Sequence, residues 1–299
     1  SSFPFYFWCS LVYASRICLK VSTCSEVRIF SNSFSNVFQK KLTKSGEAAT
    51  CINCINYILM SLISIPLLLL VNFSLITPEF WLYAIAGGIT GAIGNCFMVL
   101  ALKQGELSVL GPINSYKAIV GMIFGIFLLH EYPNIYGVLG IGLIIIGSYF
   151  ILESPKALLR KDIQYRIYAL IFTAIEAVFI KKVIILSSIA SSFIISSFLG
   201  AIFSYLIMRI LENEKLHIPT KKNSIMYIST TLCFAIMTFT TAYVFKYMNV
   251  GYALSLFQLS IILNVILGYK LFNEKKLIKK LLGSLIILIG SAAILIFGH

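Results

Sequence analysis

The sequence predicts an all-α membrane protein of about ten transmembrane helices arranged as two inverted five-helix repeats, and three observations predict it. Of the 299 residues, 59% are hydrophobic and only 12% are charged. Soluble domains run at roughly 45–50% and about 25%, so this chain cannot cover itself with water-compatible surface. Apolar runs long enough to cross a hydrocarbon layer of roughly 30 Å as helices recur along it. Finally, the two halves of the chain match each other at a nearly fixed offset.

The runs fall at residues 27–42, 51–73, 80–102, 107–129, 135–152, 163–180, 183–208, 224–245, 250–271 and 279–297, the first being the least apolar. Runs of this length exclude an amphipathic soluble bundle, and an outer-membrane barrel would instead need short alternating segments. Pro155 and Pro219 break the two long connections. The organisation that follows is an unassigned stretch at 1–26, a first five-helix repeat at 27–152, a linker loop at 153–162 and a second five-helix repeat at 163–299. The stretch 1–26 does not read as a signal peptide, because its apolar run Phe3 to Ala14 precedes Arg16 and Lys20 instead of following them.

The repeat is the most specific signal. Gly125, Glu131, Gly140, Gly147 and Ser148 match Gly268, Glu274, Gly283, Gly290 and Ser291, each pair 143 residues apart. At the head of each half, Val37-Phe38-Gln39-Lys40-Lys41 matches Val178-Phe179-Ile180-Lys181-Lys182 at an offset of 141. Glycines are common in membrane helices, but four aligned small residues with a loop-flanking glutamate point to duplication. An odd number of helices per half makes the second half enter the membrane from the opposite side.

The formal charge of +13 follows the loops. Connections after spans 1, 3, 5, 7 and 9, with their flanks, hold 17 Lys and Arg, against 3 for those after spans 2, 4, 6 and 8. This count assigns Arg166 to the fifth loop, and the positive-inside rule places the odd loops in the cytoplasm. The charge therefore reads as orientation in a membrane and not as a nucleic-acid surface. The seven cysteines are scattered, and Cys51-x-x-Cys54 opens an apolar helix with no second pair or nearby histidine, so neither a disulfide framework nor a metal site is expected.

Polar residues inside the spans are the candidate binding residues. Span four holds Pro112, Asn114, Tyr116 and Lys117; a proline within a membrane helix removes a backbone donor and exposes carbonyls. Lys117 lies too far from either end to reach water, so it needs a cavity, an anion or a lost proton, and Glu176 on span six is its intramembrane counterpart. Span nine carries Gln258, Ser260 and Asn264 at positions matching Ser115, Lys117 and Gly121, and span one carries Ser33, Ser35 and Asn36, matching Ala174, Glu176 and Ala177. Asn36, Asn114, Tyr116, Lys117, Glu176, Gln258 and Asn264 are the substrate-binding candidates, although amides also join helix to helix. Gly87, Gly88, Gly91 and Gly94, with the pair Gly121 and Gly125, read as close helix packing. Glu131 and Glu274 each end a helix at the surface and read as a cap or a loop salt bridge. No catalytic motif assembles around His130, His217 or His299.

The stretch Ala101-Leu102-Lys103-Gln104-Gly105-Glu106-Leu107-Ser108, then Gly125 through Glu131, Gly140 and Gly147, resembles the EamA-type drug/metabolite transporters. Its counterpart from Gly268 to Glu274, with Gly283 and Gly290, resembles the same signature, and the likeness covers about residues 30–297. That resemblance implies a ten-helix inverted repeat and carriage of small metabolites. The expectation is a secondary transporter moving a small polar metabolite by alternating access, not an enzyme, in the plasma (inner) membrane. Its expected partners are a small-molecule substrate, the lipid bilayer and protons as coupling ion, with no nucleic acid and no cofactor, in a monomer or homodimer. The alternatives are a membrane-embedded enzyme acting on a lipid-linked substrate and a non-transporting membrane scaffold.

Overall fold

The computed structural model describes residues 3–71, 76–130, 132, 134–151, 159–211 and 219–297, with the side chains of residues 3–19, 148, 150, 151, 222 and 294–297 outside the description. Glu131, Pro133, Pro155, His217 and His299 lie outside the described residues. Every regular element among the described residues is helical.

Each apolar run carries a helix. The first half comprises α1 (Phe3–Lys44), α2 (Ala49–Ser64) with a 3-10 extension (Ile65–Leu70), α3 (Pro78–Gln104), the broken pair α4 (Leu107–Ile113) and α5 (Tyr116–Leu129), and α6 (Ile135–Ile151). The second comprises α7 (Lys161–Leu186), α8 (Ile189–Leu211), α9 (Lys221–Tyr247), the broken pair α10 (Val250–Leu256) and α11 (Ser260–Phe272), and α12 (Leu277–Phe297). The first run is part of a much longer helix that extends back to Phe3. Six segments are long and apolar enough to cross a membrane: Ala49–Leu70, Pro78–Gln104, Leu107–Leu129, Ile189–Leu211, Asn223–Tyr247 and Val250–Phe272. Ile135–Gly147 is a shorter apolar helix. The chain is an integral, multi-pass membrane protein. In α1 and α7 polar residues interrupt the apolar sequence, and many of these face the interior, as described below.

The match between the halves extends to element boundaries. Helices α3 and α9 begin at Pro78 and Lys221 and end at Gln104 and Tyr247, 143 residues apart at both ends. Their N-caps are also equivalent: Thr77 accepts the Phe80 N–H at 3.3 Å, and Thr220 accepts the Asn223 N–H at 3.4 Å, satisfying a backbone donor that the first turn leaves open. Helices α4 and α10 start at Leu107 and Val250, and α5 and α11 end at Leu129 and Phe272, again 143 apart. The residues after them, His130 and Asn273, both take the left-handed conformation (φ 57° and 55°), and their N–H groups return to Gly125 and Gly268, closing the last turn of each helix.

Packing between the halves is reciprocal. Helix α3 lies along α7 as α9 lies along α1, while α6 pairs with α12 and α2 with α8. A methyl group added to Gly147 would sit 2.8 Å from the Gly283 carbonyl, and one added to Gly290 would sit 2.6 Å from the Gly140 carbonyl. Likewise Gly111 abuts Asn264 and Gly121 abuts Leu254; adding 143 to 111 gives 254, and to 121 gives 264. Contacts exchanged in this manner bring equivalent positions of the two halves against each other. The small residues let the backbones approach closely.

The odd-numbered connections meet at one end of the bundle. Lys40, near the end of α1, donates to the Gly105 carbonyl at 2.9 Å and to Glu274 at 2.7 Å. Lys280 binds Glu106 at 2.6 Å, Glu47 accepts from Asn223 at 2.6 Å, and Gly105 lies against Asp162. At the other end, Lys181 donates to the Met248 carbonyl at 2.9 Å, and Leu129, Ile184 and Val250 share an apolar cluster.

Glu274 works as the sequence suggests. It is 7% exposed, and its carboxylate accepts the N–H groups of Leu107 and Ser108 at 2.7 and 2.8 Å, capping α4, besides pairing with Lys40. Burial alone would raise its pKa, but hydrogen bonds from Lys40 and Ser108 outweigh it and hold the carboxyl below its ordinary value. Cys51 and Cys54 are buried with Met208 in an apolar cluster.

Candidate binding cavity

A cavity of about 110 Å³ lies between the two halves, walled by α1, α2, α3, α5, α7, α8, α9 and α10. Helix α1 gives it a stripe of Arg28, Asn32, Ser35, Asn36 and Gln39, spaced by three to four residues so that one helical face carries them all. This stripe explains why the first run is the least apolar. Helix α7 contributes Arg166, Thr173, Glu176, Ala177 and Ile180 in the same way.

The two walls correspond. At the offset of 141, Asn32 matches Thr173, Ser35 matches Glu176, Asn36 matches Ala177 and Gln39 matches Ile180, and all eight line the cavity. At the offset of 143, Asn95 and Met98 on α3 match Thr238 and Thr241 on α9, again all lining it. Positions matched between the halves thus carry unlike side chains, and the polarity is distributed unevenly around the cavity.

Of the residues singled out from the sequence, Asn36, Asn114, Lys117 and Glu176 are brought together at this cavity. Lys117 and Glu176 both line it, and no ion pair within 4.0 Å joins them. Gly91 makes room for the carboxylate, since an added methyl group would collide with Glu176. Asn95 donates to Tyr57 Oη at 2.8 Å and to the Gly91 carbonyl at 2.9 Å, ordering the wall beside it.

The other three candidates lie elsewhere. Tyr116 packs with Ile113, Ile163 and Leu170; neighbouring residues on a helix point about 100° apart, so Lys117 facing the cavity turns Tyr116 away. Gln258 is 1% exposed, and its amide donates to the Leu254 carbonyl at 2.7 Å within its own helical turn. Asn264 is buried at the crossing of α4 and α11 against Gly111.

Two charged cavity residues were not anticipated. Arg166, counted from the sequence among the charges of the fifth loop, begins the second turn of α7 and points inward. Its Nε donates to the Leu110 carbonyl at 3.0 Å, next to the break in α4, and Nη1 meets Met98 Sδ. Arg28 is 6% exposed; its Nε donates to Thr241 Oγ1 at 3.3 Å and its guanidinium lies 3.9 Å above the Phe257 ring, the stacking geometry Arg favours. Its Nη1 is buried without a hydrogen-bond partner. The signal that could have found Arg28 is the four-residue step to Asn32 and on to Asn36.

Residues 28–153 match the model of the EamA-like transporter family. No curated protein matches the chain. Among solved structures 25 chains match; one, a crystal structure of a protein 14% identical, superposes with a TM-score of 0.69 and covers 91% of this chain and 95% of its own. At that identity the likeness is one of fold. Over residues 28–153 the chain is thus similar to the EamA-like transporter family, within the drug/metabolite transporter superfamily.

Proposed function

We propose that the chain is a secondary transporter that moves a small polar metabolite by alternating access between two inverted five-helix repeats. The observation that carries this reading is the polar cavity between the halves, lined from both by residues at equivalent positions. Meeting of the odd connections at one end and the exchanged contacts of Gly147 with Gly283 and Gly290 with Gly140 support the inverted arrangement. Two related units of opposite orientation can trade conformations at little cost, opening one central site to either side in turn.

On this reading Asn36, Asn114, Lys117 and Glu176 contact the substrate, while Tyr116, Gln258 and Asn264 hold the broken helices in place. Polar and charged groups are costly inside a bilayer unless they serve a cavity or a partner. Glu176 is the group that would carry a coupling proton. The basic end of the bundle faces the cytoplasm of the plasma (inner) membrane.

Alternation is tested directly by labelling. In a background stripped of native cysteines, Asn36→Cys should react with membrane-impermeant thiol reagents from both sides of sealed vesicles. Reaction from one side only, under every gradient and metabolite condition, would count against a carrier and favour a scaffold.

A further inference from the structure

We infer that the substrate is a small organic or inorganic oxyanion, held by Arg28 between Thr241 and Phe257. The inference rests on the transporter reading and goes on to assign a charge class to its cargo. Three cations, Arg28, Lys117 and Arg166, line the cavity against one carboxylate, Glu176. Such a surplus inside a low-dielectric wall is unfavourable until an anion neutralises it. A cationic or neutral metabolite would leave it in place.

Arg28 supplies the second, independent observation. Its Nε is bonded and its face is stacked, so the guanidinium is already oriented before any ligand arrives. Nη1 is buried without an acceptor, although the residue is 6% exposed and lines the cavity. A buried guanidinium N–H normally finds a partner, and a fixed planar donor is the group that best recognises carboxylate and phosphate oxygens. Arg166, in contrast, has its donors turned toward Leu110 and Met98. Lys117, facing the same space, would add a point charge to a second oxygen. The cavity of about 110 Å³ suits an anion of a few carbon atoms better than a nucleotide.

The test uses purified full-length protein. Binding of acetate, succinate, inorganic phosphate and glycerol 3-phosphate is measured by titration calorimetry, with putrescine as cation and glycerol as neutral control; the same compounds are then offered to loaded vesicles. At least one anion should bind while putrescine and glycerol do not, and the carboxylate and phosphate arms separate the two sources of the oxyanion. Arg28→Gln should weaken that binding roughly tenfold to a hundredfold, Arg28→Lys should restore only part of it, and Glu176→Gln should tighten it. Binding of putrescine, or of no anion, overturns the inference, as does unchanged affinity in a folded Arg28→Gln protein. Anion binding without flux in vesicles supports the oxyanion site and contradicts the carrier reading; flux of a cation alone does the reverse.

Discussion

The pairs α4–α5 and α10–α11 break at positions 143 residues apart, yet only the first contains a proline. Pro112 lies within the last turn of α4, and the N–H groups of Asn114, Ser115, Lys117 and Ala118 reach carbonyls three residues back, at 2.9 to 3.1 Å. The position equivalent to Pro112 is Ser255, a residue with an intact backbone donor, and the second pair still tightens into a 3-10 turn at Phe257–Leu259. In both, a serine hydroxyl returns to the carbonyl three residues before it: Ser115 to Pro112 at 2.6 Å and Ser260 to Phe257 at 2.8 Å. The break is therefore a property of the packing, with α4 crossing α11 at Gly111 and α10 crossing α5 at Gly121, and proline reinforces one copy of it. What differs is the residue delivered beyond the break. Lys117 enters the cavity, whereas its counterpart Ser260 is 1% exposed.

The comparison can be broken most severely at the start of α4. Glu274→Ala removes a carboxylate that caps α4 and leaves the buried Lys40 charge without its counter-ion, which should cost about 3–5 kcal/mol of stability, read as a lower melting temperature. The same carboxyl sets a pH dependence. Because its folded pKa lies below the unfolded value, its stabilisation is present above the unfolded pKa and fades as pH falls through the folded one. Acid melting curves of Glu274→Gln should accordingly be flatter than those of the native protein.

Next in size are the crossings. Leucine at Gly111 or Gly121 should each cost about 1–3 kcal/mol through overpacking, and similar losses at the two sites would support a shared cause of the break. If only Gly111→Leu mattered, the second break would need another origin. Gly91→Ala should lower vesicle uptake more than it lowers the melting temperature, since the added methyl group displaces Glu176 from the cavity wall. The smallest effect belongs to Pro112→Ala, expected below about 1 kcal/mol. A helix-interior proline otherwise costs about 3 kcal/mol, so strong stabilisation on its removal would show that proline, and not packing, bends the chain.

Much of the fold could be read from the sequence because hydrophobic length and small-residue spacing are local signals: Gly140, Gly147, Gly283 and Gly290 marked the repeat, and the structure adds that α6 and α12 meet at them. Lys117 and Glu176 were legible because a charge within an apolar run has few places to go. Arg28 and Arg166 were not, because a basic residue near the end of a run looks like one that reaches for the membrane surface. Only the inward rotation of α1 and α7, set by packing against α9 and α3, turns them toward the cavity. Tyr116, Gln258 and Asn264 lie away from this cavity, since the break fixes which face of each helix looks inward and sequence position does not reveal that rotation.

The claim on which the rest depends is that the cavity between the halves is where cargo is held during transport. Uptake by vesicles carrying Lys117→Met or Glu176→Leu, each shown to be folded by its melting curve, tests it most directly. Loss of flux in both with the fold retained is the expected result; native rates in either would contradict the account.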